Sequence, residues 1–509
     1  MKKLIYIASI FFGFTLASCN DFLTVESPDQ MTTDRFWRNE KDVQDALASA
    51  YAQLYHGDSY ATSEVRWPVE AYRTDLYDLG QDAINYDTWT DLYKFTYTNG
   101  NTQFSYYYQD LYRGINFANQ IIHHLPKVPA EGISEERRNL LINEALFLRG
   151  YYHMMLLLNW EKIVIRDVYI ENDDQLHKGL SERKDCWDFV ISDLQAATKL
   201  PAERTTEELG RATSGAAYSY LGFAYLTRAY EEADNKDAHL TNALNALNEV
   251  KGYELVSGEE LINMFNGRNK NCKESIFELQ YSMSTANGAR YNSCMHFFIA
   301  SAELGGWDEI APSQKLFEEF KKEGEIATTG NYDTRLYNTL YFDCDYYNDG
   351  TGKVLGYDYK DRFSYPDENN NIVYYERPVF RKFTPATKEE MDQSRCAINI
   401  PLMRYANVLL MKAEVLNEQG HPELAIPIIN DIRRIHGDMP AMTGTTQDDV
   451  RAQIEHERIL EFPLESYRWY DLRRWGKIKE ALGTNRGFEE GKHEFYPIPL
   501  WEITSNTAL

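Results

Sequence analysis

Residues 404–436 read RYANVLLMKAEVLNEQGHPELAIPIINDIRRIH, and the fold class turns on this stretch. Ala413 and Leu416 lie one helical turn apart, Gly420 and Pro422 mark a turn, and Ala425 and Ile429 resume the period. That is the spacing of a tetratricopeptide-like helix pair, in which small residues let two helices approach and large ones fill the gaps. The same unit recurs upstream, where Tyr218, Leu221, Gly222 and Tyr225 precede Ala243. A mostly α fold is expected, with tetratricopeptide-like helix pairs forming a scaffold.

Helical periodicity extends outward from these pairs over roughly 105–125, 135–160, 185–200, 212–232, 238–250, 403–418, 422–436, 448–461 and 467–482, with an amphipathic stretch at 41–54. Between about 255 and 400 it fades. Gly, Asn, Asp and Tyr cluster at 343–352 and 367–371, beside the alternating run 372–375. An inserted loop-rich region containing short strands is predicted there. The expected organisation is a signal peptide at 1–18, a lipid-anchored tether at 19–40, an N-terminal helical part at 41–254, the insert at 255–400 and a C-terminal helical part at 401–509. Residues 19–509 form one unit.

The tether follows from the start of the chain. Lys2 and Lys3 precede an apolar run from Leu4 to Phe14, then small residues at Ala17 and Ser18, which is the layout of a secretory signal peptide. The run is shorter than the ~20 residues a membrane-spanning helix needs. Leu16-Ala17-Ser18-Cys19 resembles a bacterial lipobox, so Cys19 is expected to carry the lipid; an ordinary cleavage site with an incidental cysteine is the alternative. Cys186, Cys272, Cys294, Cys344 and Cys396 are odd in number and far apart, so no disulfide framework or zinc ribbon is indicated.

Net charge is −25, from 53 basic and 78 acidic residues, which disfavours nucleic acid as a ligand. Tyrosine alone contributes 37 residues, many in polar stretches. Such rings suit a wet ligand with apolar faces.

C-terminal motifs carry a family resemblance. Arg404, Tyr405, Ala406, Leu409, Leu410, Ala413, Glu414 and Asn417, followed by Asn430 and Arg433, resemble a pattern of the SusD/RagB family of outer-membrane nutrient-binding lipoproteins. The block Glu457, Arg458, Glu461, Glu465, Arg468, Trp469, Asp471, Leu472, Arg474 and Trp475, then Tyr496 to Pro499, is similar to its later motifs. Cys19, Phe22, Leu23, Pro28, Phe36 and Trp37 agree more loosely. Two positions depart: Pro463 stands where the family continues with alanine, and Ser466 where it often has glycine. The resemblance implies a lipid-anchored protein at the cell surface of the outer membrane, closing as a lid over a TonB-dependent transporter barrel of the SusC type, with a glycan as ligand. No cofactor is implied.

Candidate site residues follow from what a sugar needs: flat rings for C–H faces, and amide, carboxylate or guanidinium groups for hydroxyls. One stretch offers Trp67, Tyr72, Arg73, Asp75, Tyr77, Asp78, Trp89 and Tyr93, without a clean helical period. A second offers Tyr281, Asn287, Arg290, Tyr291, Asn292 and Trp307. For any one ring, core packing is the competing assignment. The charged block at 457–475 reads as a structural ion network rather than chemistry, because its Glu and Arg recur at helical steps. Asp75 with Asp78, or Asp343 with Asp345, could serve a glycoside hydrolase; among so many acids such pairs arise freely, so no enzyme is expected. The loop at 345–350 fails as a calcium site, since Tyr347 stands where an oxygen ligand belongs. No metal site is read. The leading expectation is a glycan-binding lipoprotein; a surface glycosidase and a protein-binding helical scaffold are the alternatives.

Overall fold

The computed structural model describes residues 36–55, 66–284, 292–484 and 486–509. Cys19 and the rest of the leader and tether to residue 35 lie outside them, as do Asn287, Arg290 and Tyr291. In the N-terminal part the helices are α1 (Glu40–Ala52), α2 (Arg66–Ala71), α3 (Asp87–Lys94), α4 (Thr102–His124), α5 (Glu135–Asn159), α6 (Arg183–Ala197), α7 (Ser214–Glu231) and α8 (Lys236–Asn248). Short helices α9 (Gly258–Phe265), α10 (Met295–Ile299), α11 (Gln314–Lys321), α12 (Thr334–Thr339), α13 (Tyr359–Arg362) and α14 (Lys388–Met391) punctuate the insert. The C-terminal part holds α15 (Tyr405–Glu418), α16 (Pro422–Gly437), α17 (Gln447–Glu461), α18 (Arg468–Arg474), α19 (Ile478–Leu482) and α20 (Leu500–Ser505).

Long helices pack in chain order: α4 on α5, α5 on α6, α6 on α7 and α7 on α8. α8 then packs on α15, which itself packs on α16 and α17. The two predicted repeat pairs are therefore neighbours in one helical array, and the segment between them is looped out. Gly222 shows why the pairs need small residues: a Cβ there would lie 2.6 Å from the Leu247 side chain. One expected helix is split. The run at 467–482 breaks into α18 and α19 at Gly476, whose φ of +68° ends the first piece.

Among the described residues, eight short strands form four two-stranded antiparallel sheets. β5 (Ser364–Pro366) and β6 (Ile372–Tyr374) make the hairpin that the alternating run predicts. The other pairs are long-range: β1 (Tyr77–Leu79) with β3 (Ile310–Pro312), β2 (Ser275–Leu279) with β8 (Ile400–Arg404), and β4 (Leu340–Tyr341) with β7 (Val379–Phe380). Each ties the insert to the frame or to itself.

The charged C-terminal motifs lie inside. Arg404 donates to both Glu465 carboxylate oxygens (2.7 and 2.8 Å), to Glu461 (3.0 Å) and to Glu274 (2.5 Å), and all four side chains are essentially inaccessible. Arg335 joins Asp333, Glu457 and Glu461, while Arg433 joins Glu457 and Glu323. His436 places Nδ1 3.0 Å from Glu461 and Nε2 3.1 Å from Glu274. Both nitrogens face carboxylate oxygens, so the ring serves as an imidazolium; burial opposes that charge, but the two carboxylates raise its pKa to about 9. His456 is also raised to about 9, by Glu319 and Glu323 against the cost of burial. Glu274, His436 and Glu461 lie close enough to hold a metal ion, as do Glu323, His456 and Glu457. A ligating imidazole must be neutral with a free lone pair. With Arg404 and Arg335 already on these carboxylates, a charge network fits the geometry better.

The departures from the family pattern have a local reading. α17 stops before Pro463, and Leu464 (φ +63°) and Ser466 (φ +70°) carry the chain through a left-handed turn. Glycine would enter that turn without the ~1–2 kcal/mol that a Cβ costs.

Arg468 donates to both oxygens of Asp75 (2.8 and 2.7 Å) across the whole chain. Arg468→Ala leaves that buried carboxylate with Lys315 alone, and a loss of about 3–5 kcal/mol in unfolding free energy is expected; a melting temperature equal to wild type would contradict the pairing. The two raised histidines set a pH dependence. With folded values near 9 against an ordinary 6.5, their stabilisation is complete below pH 6.5 and is lost as pH rises through 9. Urea unfolding of wild type and His436→Gln should converge across that window; a constant difference would remove the imidazolium assignment.

Candidate functional site

The two ring-rich stretches meet in space. β1 and β3 pair Tyr77 with Pro312, Asp78 with Ala311 and Leu79 with Ile310. Around that pairing Trp67 lies 5.5 Å from Trp89 and 6.0 Å from Phe298, ring centre to ring centre. Phe298 in turn meets Trp307 edge-on at 4.7 Å.

Most of the predicted ligand rings are nevertheless core. Trp67 and Trp89 are only 6% and 5% exposed, and Tyr72 and Tyr77 are buried. Trp89 also sits on a helix, α3, where no helical period was read. Tyr72 donates its hydroxyl to the Glu309 carbonyl (2.6 Å), and Tyr77 accepts from the Leu464 N–H (2.6 Å). Arg73 is buried between the rings of Trp469 and Tyr496, 4.6 Å from each. Asp75 is spent on Arg468 and Lys315; burial would raise its pKa, but those two cations hold it below the usual carboxylate range. Tyr281 and Asn292 are buried too. The physical reason is common to all: this segment is clamped between the insert and the C-terminal helices, so its rings and charges are the joint. Tyr93 is half-buried, donating to Asp78 (2.6 Å) under the Arg486 guanidinium, and burial with that bond pushes its hydroxyl up to about 12.

Trp307 is different. It is 38% exposed and is presented by a tightly built turn. Gly305 has φ +97°, and at Gly306 a Cβ would lie 2.0 Å from the Ala300 carbonyl oxygen, so only glycine passes. The Trp307 N–H donates to Phe297 (2.6 Å) and the Asp308 N–H to Ala300 (3.0 Å). The indole stacks on Phe297 at 5.3 Å and 22°. One face is thereby packed and the ring is held still.

Three segments converge at Asp308, a buried residue at φ +57°. From one side comes the loop before α3: the Asp82 N–H donates to the Asp308 carbonyl (3.2 Å) and the Gly80 N–H to Glu309 (3.0 Å). A Cβ at Gly80 would lie 1.9 Å from that Asp308 oxygen. This loop carries Tyr86, 45% exposed and packed 4.8 Å from Trp89. From the other side comes Arg377, which bonds Glu303 (2.8 Å) and Asp308 (2.5 Å) and lies 5.5 Å from the ring of Tyr375, itself 37% exposed. Both carboxylates raise the Arg377 pKa against the cost of burial. Under the turn, burial lowers the pKa of His296 to about 4, so the ring is neutral. Three exposed rings, Trp307, Tyr86 and Tyr375, are thus tied to one buried junction, with the Glu303 carboxylate at the surface beside Arg377; together they form the candidate platform. It can stack on flat apolar faces and accept hydrogen bonds from hydroxyl groups.

Of the predicted site residues, Trp307 alone is both described and well exposed. Tyr86, Glu303, Asp308, Tyr375 and Arg377 were missed. The signal for the turn was present as Gly305-Gly306 before a tryptophan; nothing local marks Arg377.

Comparison with known proteins bears on the whole chain. Residues 273–509 match the sequence profile of the SusD family, and residues 21–226 match one described as starch-binding associating with outer membrane. The chain belongs to the SusD/RagB family. It is 25% identical over 507 residues to SusD-like protein P38 of Formosa agariphila, covering 96% of this chain and 93% of that one. A solved SusD superfamily protein from Bacteroides vulgatus superposes with a TM-score of 0.78 at 26% identity, over 92% of this chain and 98% of that one. A surface glycan-binding protein A from Bacteroides thetaiotaomicron, in complex with laminarihexaose, shares the fold with a TM-score of 0.72 at 18% identity, covering 92% and 98%. In this SusD/RagB chain the charged motif residues from Arg404 to Arg474 form interior ion pairs, as the Arg474 bonds to Glu414 (2.8 and 2.7 Å) illustrate. They build the frame, and the platform stands where the insert meets the loop before α3. Among the described residues no helix is long and apolar enough to cross a membrane.

Proposed function

We propose that this chain is a cell-surface lipoprotein that captures an oligosaccharide or polysaccharide and passes it to a TonB-dependent transporter of the SusC type, catalysing nothing itself. The observation that carries the reading is Trp307: a large ring, exposed on a turn only glycines allow, beside further exposed rings and carboxylates. Such a surface binds pyranose faces by stacking and hydroxyls by hydrogen bonds. Glycan ligands named for related folds, laminarin and laminarihexaose, support the class. Lipidation at Cys19 would keep the platform at the outer membrane. Commitment of Asp75 to Arg468 counts against its service as a hydrolytic acid or base.

An open platform of two or three rings supports dissociation constants in the micromolar to millimolar range, about −8 to −4 kcal/mol. Trp307→Ala should therefore abolish retardation in a glycan affinity gel while leaving the melting temperature unchanged. Trp67→Ala should instead lose about 3–5 kcal/mol of stability, and any loss of binding should follow the loss of fold. Normal binding by the Trp307 variant would move the site elsewhere. Cys19→Ala should shift the protein from the membrane fraction to the soluble one; continued retention would remove the lipobox assignment.

A further inference from the structure

The charges around Trp307 carry information about the ligand that the rings do not. The loop and helix at 80–94 contain Asp82, Asp87 and Asp91 against a single lysine, Lys94, in the last turn of the helix. The segment 295–312 contains Glu303, Asp308 and Glu309 and no lysine or arginine, and its histidine, His296, is neutral. Among the cations that approach from elsewhere, Arg395 lies near enough to His296 to oppose its charging, and several others are paired with carboxylates. Arg377 is closed between Glu303 and Asp308, Lys388 pairs with Asp392, and Lys353 pairs with Asp358. On the hairpin side Arg362 lies 5.6 Å from the ring of Tyr357, and Lys360 is exposed beside it. Both share their run with Asp358 and Asp361, and Glu376 follows the hairpin. The described platform therefore presents hydroxyl-accepting oxygens and excess negative charge, on a protein whose net charge is already −25.

Glu303 occupies a special place in this balance. Its side chain is 19% exposed, against 3% for Asp308, so of Arg377's two partners it is the one at the surface. It sits four residues before Trp307, on the same turn. An ionised glycan laid on the indole would bring its carboxylates or sulfates toward this carboxylate, and the Arg377 guanidinium beside it is already engaged.

We propose that the platform selects uncharged glycans and rejects polyanionic ones, and that Glu303 sets this selectivity by holding Arg377 neutralised. The inference rests on the glycan-binding reading above. A neutral pyranose loses nothing here, since its C–H face needs a ring and its hydroxyls need acceptors. A uronate or sulfate chain meets like charge at every sugar, at distances inside the Debye length.

Full-length wild-type protein and Glu303→Gln are compared by affinity gels against neutral glucans, mannans and xylans, and against polyuronates and sulfated galactans, at low and high salt. Glutamine keeps an oxygen for Arg377 while removing one charge. Wild type is expected to bind its best neutral glycan at least ~10-fold more tightly than any acidic one at low salt, with the gap narrowing as salt is raised. Glu303→Gln is expected to gain ~fivefold toward acidic chains at low salt, over and above any change in its neutral affinity. Wild type preferring an acidic glycan would overturn the inference. An unchanged acidic affinity in Glu303→Gln would remove Glu303 from the role. Retention on none of the gels would bring down the glycan reading itself, a result distinct from binding with the wrong charge preference.

Discussion

The guanidinium of Arg404 is shut away from water among Glu274, Glu461 and Glu465, and the rest of the architecture depends on that arrangement. The three acids come from different places: the start of the strand that ties the insert to the frame, the end of α17, and the loop that follows it. Taking four charges out of water is costly, and hydrophobic replacement can match or exceed the stability of such a cluster. What a cluster like this supplies is intolerance of error. A one-residue slip of β8 against β2 would leave several carboxylates buried without a partner, each costing more than a lost apolar contact. The adjoining Arg335, Arg433, His436 and His456 pairs extend the same constraint toward α11 and α16.

This explains why the frame was readable in the sequence and most of the candidate site, Trp307 apart, was not. Helix pairs announce themselves by apolar period and small residues, as Gly222 and Ala425 do, because the pattern is local. The Glu457–Trp475 block was readable as structure for a related reason: its Glu and Arg recur at helical steps with tryptophans alongside, which suits helix docking. By contrast, whether a tryptophan is joint or platform is settled by distant contacts. Trp67 and Trp307 belong to the same ring cluster, and they differ in which neighbours the β1–β3 pairing puts over them. Arg73 and Asp75 suit a sugar by type, yet Trp469, Tyr496 and Arg468, some four hundred residues on, claim them. Arg377 had no local pattern at all.

Stiffness in the frame is what allows strain at the platform. Asp308 sits at φ +57°, in the left-handed region that most side chains avoid and aspartate enters only where its surroundings hold it. It is held there by backbone bonds to Ala300 and Asp82 and by its side chain on Arg377. Loosening any of these would let the turn relax and carry Trp307 with it. Strained residues persist where surrounding structure over-determines them, and such places are disproportionately functional.

A fixed ring also changes what binding costs. On a mobile loop, a tryptophan must surrender its own rotamer freedom when a sugar arrives, about 0.5–1.5 kcal/mol for each side chain immobilised. Here Phe297 behind the indole and the glycine turn beneath it have met that cost during folding. Affinity can then come from few contacts, which suits an open surface. An open surface in turn has no lid to unlatch and no cavity from which the ligand must be drawn. Under the glycan-binding reading, this is the combination a handover requires: a platform rigid enough to hold a chain by two or three rings, and shallow enough that another protein can take the chain from it.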